Sequence, residues 1–171
     1  MGWSLIKRKD VVSMLSNDLP FSFISGNFLI NSSKRAQVVE VSSDVLRAFN
    51  TIKKKGIQPL FLGMPVCDTI DREKARISLP FASKVSKEAE PKAFINRKAE
   101  QLFLYSRDVW SSSILKTEGE VKKRNLVFVF NEDGIFLGMA FALSDNLLDK
   151  GKKVVLKNVI DIGYYLRCER R

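Results

Sequence analysis

The sequence predicts an α+β protein of two small domains, and three observations carry that reading. Segments with helical apolar spacing are interspersed with short β-rich runs. A polar, charged stretch with a proline near its end, SKVSKEAEPK (Ser83 to Lys92), interrupts the chain near its middle. The 171 residues are enough for one large domain or two small ones, and a hydrophobic content of 45% with 28% charged residues describes chains that fold. The boundary is therefore placed between residues 91 and 92.

In the first part, Lys7 to Asn17 carries Val11, Val12, Met14 and Leu15 at the spacing of a short amphipathic helix, ended by Pro20. FSFISGNFLIN (Phe21 to Asn31) alternates apolar residues around Gly26-Asn27 and predicts a hairpin turning there. Ala36 to Val41 is the next strand. SSDVLRAFNTIKKKG is the clearest helix. Ser42 or Ser43 can cap its first free N–H groups, and Val45, Leu46, Phe49 and Ile52 share a face. Lys53, Lys54 and Lys55 suit the negative end of the helix dipole, and Gly56 supplies a left-handed stop. Pro59 to Val66 reads as extended and Ala75 to Phe81 as a strand.

In the second part, Phe94 and Ile95 begin a strand, and Ala99 to Trp110 reads as a helix broken by three serines. Leu126 to Phe130 and Ile135 to Leu143 are strands joined through Asn131–Gly134, with Gly134 at positive φ. Val154 to Leu156 and Tyr164 to Arg167 are further strand candidates. Asp161, between two isoleucines, is read as a helix cap or as orienting the turn at Gly163.

The formal net charge is +10, which points to an anionic partner. The charge is shared evenly. Residues 1–91 hold 14 basic and 9 acidic side chains, and residues 92–171 hold 15 and 10. The chain has no histidine, which removes His-dependent nucleophile triads and the usual His metal sites. No glycine-rich nucleotide-binding pattern is present. The acid pairs Asp68/Asp71, Glu118/Glu120 and Glu132/Asp133 fall in polar or turn-like stretches and read as solvated. No catalytic residue, metal or cofactor is expected. Cys67 and Cys168 read as free thiols, and the first ten residues lack the apolar core of a secretory signal. No apolar run is long enough to span a bilayer, so no membrane partner is expected. The expected location is the cytoplasm, or the nucleolus in a eukaryote.

Three stretches carry a resemblance: KAFINRKAEQLFLYSRDV (Lys92 to Val109), DGIFLGMAFA (Asp133 to Ala142) and VVLKNVIDIGYYLR (Val154 to Arg167). With Ser42 to Val66, they make the chain similar to the Nip-seven family of large-subunit ribosome biogenesis factors. That resemblance implies an N-terminal α/β pre-PUA domain over residues 1–91. It implies a C-terminal PUA pseudo-barrel of mostly antiparallel strands over residues 92–171. PUA is the RNA-binding module named for pseudouridine synthases and archaeosine transglycosylases. The family's glycines after the first helix of this domain are replaced here by Ser106, Ser113 and Leu115, while Lys116 keeps a basic residue.

The resemblance implies non-enzymatic RNA binding in rRNA processing, through Lys150, Lys152, Lys153, Lys157, Arg167 and Lys116. Pre-rRNA or rRNA would be held mainly through phosphates. Tyr105, Trp110, Tyr164 and Tyr165 are the aromatic candidates for base stacking, and alternation along a strand would turn one of the last two outward. The N-terminal domain would dock other assembly or RNA-processing proteins. The alternatives are a protein-interaction adaptor and an RNA-modifying enzyme, for which 91 residues are few and no catalytic motif is visible.

Overall fold

A computed structural model describes residues 2–15, 26–31, 36–71, 74–149 and 151–168. The chain divides into two compact units, residues 1–82 and 83–171. The expected mixed class holds, with one antiparallel and one mostly antiparallel sheet.

The first unit is a five-stranded antiparallel sheet whose spatial order follows the sequence. Its strands are β1 (Trp3–Ile6), β2 (Asn27–Asn31), β3 (Gln37–Val41), β4 (Met64–Asp71) and β5 (Lys74–Ile77). Helix α1 (Arg8–Leu15) buries Val11 and Leu15, and helix α2 (Ser43–Lys54) links β3 to β4. Trp3, Leu29, Val39, Val41 and Phe49 form a core, with Leu46 and Leu62 packed on it.

Helix α2 follows its sequence signals closely. The Ser42 hydroxyl accepts a hydrogen bond from the Val45 N–H at 3.2 Å. At the other end the Gly56 N–H donates to Lys53 O and the Ile57 N–H to Ile52 O, with Gly56 at φ 76°. This paired closure satisfies helix carbonyls that would otherwise lack donors.

Two expectations for this unit change. The hairpin turning at Gly26-Asn27 is not what flanks β2. Phe28 to Ile30 pair with Leu5, Ile6 and Ser4 of β1 on one side and with Val38 to Glu40 of β3 on the other. The first arm of the expected hairpin lies outside the described residues. The strand expected over Ala75–Phe81 ends at Ile77, and Leu79–Val85 forms helix α3. Ser78 is the reason, because its hydroxyl accepts from the Phe81 N–H at 3.2 Å and starts the helix.

Cys67 is buried in β4 and its thiol is pushed up to about 12, first by burial and then by the nearby Asp68 charge. Cys168 is exposed. At about pH 8, iodoacetamide should therefore modify Cys168 alone in the native protein, and both cysteines only after unfolding. Mass analysis of the adducts checks this.

The second unit holds a six-stranded sheet in the order β7-β11-β10-β9-β6-β8. Its strands are β6 (Lys92–Ile95), β7 (Val109–Trp110), β8 (Ile114–Glu118), β9 (Leu126–Asn131), β10 (Phe136–Ala142) and β11 (Val154–Asp161). Among the described residues, only β6 and β9 run parallel. One face buries Ile95, Val127, Val129, Leu137, Ala140 and Leu156 around Phe103 of helix α4 (Arg97–Phe103). The β9–β10 turn forms as its sequence predicts. Asn131 Oδ1 accepts from the N–H groups of Asp133 and Ile135 at 3.0 and 2.8 Å, and Gly134 sits at φ 77°.

Helix α4 is shorter than the expected Ala99–Trp110. Asn96 caps its start, accepting from the Ala99 N–H at 2.9 Å. It closes with the Ser106 N–H on Phe103 O and the Arg107 N–H on Leu102 O, which places Ser106 at φ 61°. Val109 and Trp110 then pair with β11. Tyr164–Arg167 is also not a strand but part of helix α5 (Gly163–Cys168).

Candidate nucleic-acid interface

The C-terminal strand and helix are tied down by one polar cluster. Asp161 is fully buried at the end of β11. The Arg167 guanidinium reaches back from α5 and donates to both Asp161 oxygens, at 2.9 and 3.0 Å, and to the Leu104 carbonyl. Asn158 Nδ2 donates to Phe103 O at 2.9 Å and to Asp161 at 3.3 Å, and the Ser106 hydroxyl adds a 3.4 Å contact. Hydrogen bonding to Asp161 holds the guanidinium pKa above its ordinary value. Gly163 completes the joint, since a Cβ there would run into the Leu104 carbonyl oxygen. Asp161 thus anchors α5 against the end of α4, and Arg167 serves this anchor rather than projecting freely toward a ligand.

Ser106 occupies a backbone position that favours glycine. A side chain in the left-handed region costs roughly 1–2 kcal/mol, partly offset because glycine loses more freedom on folding. Ser106→Gly should raise stability by about 0.5–1 kcal/mol, checked by urea unfolding. The long hydroxyl contact to Asp161 is too weak to reverse the sign.

The remaining candidate residues fall in different places. Lys150 lies outside the described residues. Lys152 and Lys153 immediately precede β11, and Lys157 lies within it, all exposed. Lys153 is bonded to Asp149 at 2.6 Å. That bond, followed by a backbone N–H from Gly151, holds the Asp149 carboxyl below the usual range. Among the described residues neither Lys152 nor Lys157 has an ion-pair partner. Lys116 is elsewhere. It lies on β8, four strand positions from β11 and so about 19 Å away along the sheet. Its ammonium sits 4.0 Å from the centre of the Phe94 ring and 2.8 Å from Glu118, whose carboxyl it holds below the usual range.

The structure adds three basic residues that sequence reasoning passed over, Lys122, Lys123 and Arg124, all exposed. Their turn is built to hold shape. Lys122 and Asn125 exchange hydrogen bonds, the Lys123 N–H donates to Asp145, and the Arg124 N–H donates to Ala142 O at 2.7 Å with Arg124 at φ 74°. Ala142 pairs with Leu156, and its neighbour Phe141 pairs with Lys157. The 122–124 turn therefore stands at the same end of the sheet as Lys152, Lys153 and Lys157. A run of three basic residues just before the apolar LVFVF strand was the available signal.

The aromatic candidates are also redistributed. Tyr164 and Tyr165 are both about half exposed, with their rings edge-to-face at 5.9 Å. They follow Asp161, at the opposite end of β11 from the lysines. Trp110 is 48% exposed and pairs with Val154, next to Lys153.

Residues 91–170 match the model of the UPF0113 PUA domain family. A UPF0113 protein of Archaeoglobus fulgidus is 27% identical over 117 residues, covering 67% of this chain and 66% of that protein's length. Among solved structures, a conserved PUA domain protein from Thermoplasma acidophilum has a similar fold. Its TM-score is 0.62 at 12% identity, over 98% of this chain and 99% of that one. A hypothetical protein from Pyrococcus horikoshii gives a TM-score of 0.60 at 13% identity, over 93% of each chain. The second unit is thus a PUA pseudo-barrel, and the first is an α/β part found with it in folds of similar extent.

Proposed function

We propose that this chain is a non-enzymatic RNA-binding factor that acts in assembly of the large ribosomal subunit. The observation that carries the reading is the gathering of Lys152, Lys153, Lys157, Lys122, Lys123 and Arg124 at one end of the PUA sheet. Such a cluster suits a phosphate backbone, because each neutralised phosphate releases a counterion. The PUA domain match over residues 91–170 supports RNA as the anion, and the resemblance to the Nip-seven family supports pre-rRNA or rRNA as its source. No catalytic role is assigned. The chain has no histidine, and among the described residues no three metal-ligating side chains stand close enough to hold an ion. The location that goes with this reading is the cytoplasm, or the nucleolus in a eukaryote.

Crosslinking to RNA in cells, with the sites mapped, tests the assignment. Crosslinks should concentrate on large-subunit rRNA or its precursors. Crosslinks confined to other RNAs would overturn the ribosomal role while leaving RNA binding intact.

A second reading, a protein-docking role for the first unit, is favoured by one observation. Leu60 and Phe61 are more than four-fifths exposed and Ile57 more than half, in the segment that follows the lysines closing α2. Exposed apolar side chains grouped in this way mark contact surfaces. Affinity capture after nuclease treatment should recover assembly proteins with the wild type and lose them with Leu60→Ser and Phe61→Ser together.

A further inference from the structure

We infer that the outer face of β7, β11 and β10 is a stacking platform for unpaired RNA bases, with Trp110 and Phe141 as its two rings. The inference rests on the RNA-binding reading above and names the form of RNA that the site takes. Its basis is the register of the three strands. Val109 pairs with Leu156, and Leu156 with Ala142, and all three side chains are buried on the core face. Neighbouring residues on a strand face opposite sides. Trp110, Lys157 and Phe141 therefore share the other face. Lys157 and Phe141 are direct cross-strand partners, and Trp110 pairs with Val154. Val155 is the extra residue of a bulge, which brings Val154 and Lys157 to successive positions on the outer face.

Met139 and Leu126, on this same face, are buried, and the face opens at the end that carries the two rings. Trp110 is 48% and Phe141 37% exposed. Two partly exposed rings on one sheet face can take an occupant, and the surrounding charge selects it. Lys157 lies on β11, the strand between those of the two rings, Lys152 and Lys153 lead into β11, and Lys122 to Arg124 rim the end of β10. The acids nearby are partly spoken for, with Asp149 on Lys153 and Asp145 accepting from the Lys123 N–H. A flat aromatic surface inside a basic rim suits single-stranded nucleic acid, whose bases stack on the rings while its phosphates meet the lysines. Paired bases are already stacked on each other and offer no free face.

The test compares a short oligouridylate with an abasic ribose-phosphate strand of equal length, which carries the same charges without bases. The wild type should bind the base-bearing strand about 10-fold or more tightly than the abasic one. Trp110→Ala should cut that preference several-fold while leaving abasic binding nearly unchanged, and Trp110→Phe should keep most of it. Binding should also quench tryptophan emission, and the signal belongs to Trp110. The only other tryptophan, Trp3, is buried with its indole N–H on Pro59 O at 3.1 Å. Equal wild-type affinity for both strands would overturn the platform while leaving phosphate-based RNA binding intact. So would an equal loss for both strands in Trp110→Ala. Failure of the wild type to bind either strand at low salt would overturn the platform and the RNA-binding reading together.

Discussion

Arg167→Ala should destabilise the second unit by about 3 kcal/mol, the lower end of what is lost when one partner of a buried ion pair is removed. The lower end applies because the Arg167 side chain is 30% exposed while Asp161 is fully buried. Among the described residues, the truncation leaves Asp161 with the longer contacts from Asn158 and Ser106, at 3.3 and 3.4 Å. It also removes the donor to the Leu104 carbonyl. Arg167→Lys should recover little of the loss, because a single ammonium cannot reproduce two parallel bonds to one carboxylate and a third to a carbonyl. Urea unfolding followed by Trp110 emission in a Trp3→Phe background reads the second unit directly. A variant as stable as the wild type would mean that the cluster does not hold α5 in place.

Replacing Lys152, Lys153 and Lys157 together with alanine should weaken RNA binding by about 100-fold at roughly 0.1 M salt. Each single-strand phosphate contact contributes about 0.7 log units per decade of salt. From about 1 M, where such contacts are nearly screened, down to 0.1 M, each lysine is thus worth roughly 5-fold, and three give about two log units. The loss should be the same for every RNA sequence, since phosphates carry no sequence information. Stability should hardly change, because all three side chains are exposed and Lys153's bond to Asp149 is a surface pair. Mobility-shift titrations with two unrelated RNAs check both parts. A loss for one sequence only would place these lysines on bases instead.

Where several local signals agree, the sequence reads directly into the structure. Helix α2 has its serine cap, apolar face, basic end and terminal glycine, and every one of them acts as expected. The β9–β10 turn is similarly clear, because Asn131 and Gly134 each supply what that turn requires. Elsewhere a distant partner decided the outcome. Tyr164 to Arg167 has β-prone residues, yet it coils into a helix because Gly163 packs on the Leu104 carbonyl and Arg167 reaches Asp161. The end of α4 was hidden because a serine, not a glycine, takes the left-handed position. The short β1 pairs with a strand more than twenty residues further on, a contact that periodicity cannot reveal.

The candidate interface was legible in part for the same reason. Lys152, Lys153 and Lys157 stand together because they are neighbours in sequence. Lys116 is separated from them by the strand order, and Arg167 is taken up by a buried acid that only the fold brings near it. The turn at Lys122 to Arg124 joins the cluster through a backbone bond to Ala142, which no sequence pattern announces. Phe141 is likewise set apart from the core phenylalanines only by its position opposite Lys157.

The most direct test of RNA binding at this end of the PUA sheet is the salt dependence of affinity for single-stranded RNA, measured for the wild type and for the triple lysine variant. The account predicts that log K falls linearly with log salt for the wild type, and that the variant's slope is shallower by about 2, from three lost phosphate contacts. A wild type with no affinity at low salt, or a variant with an unchanged slope, would contradict it.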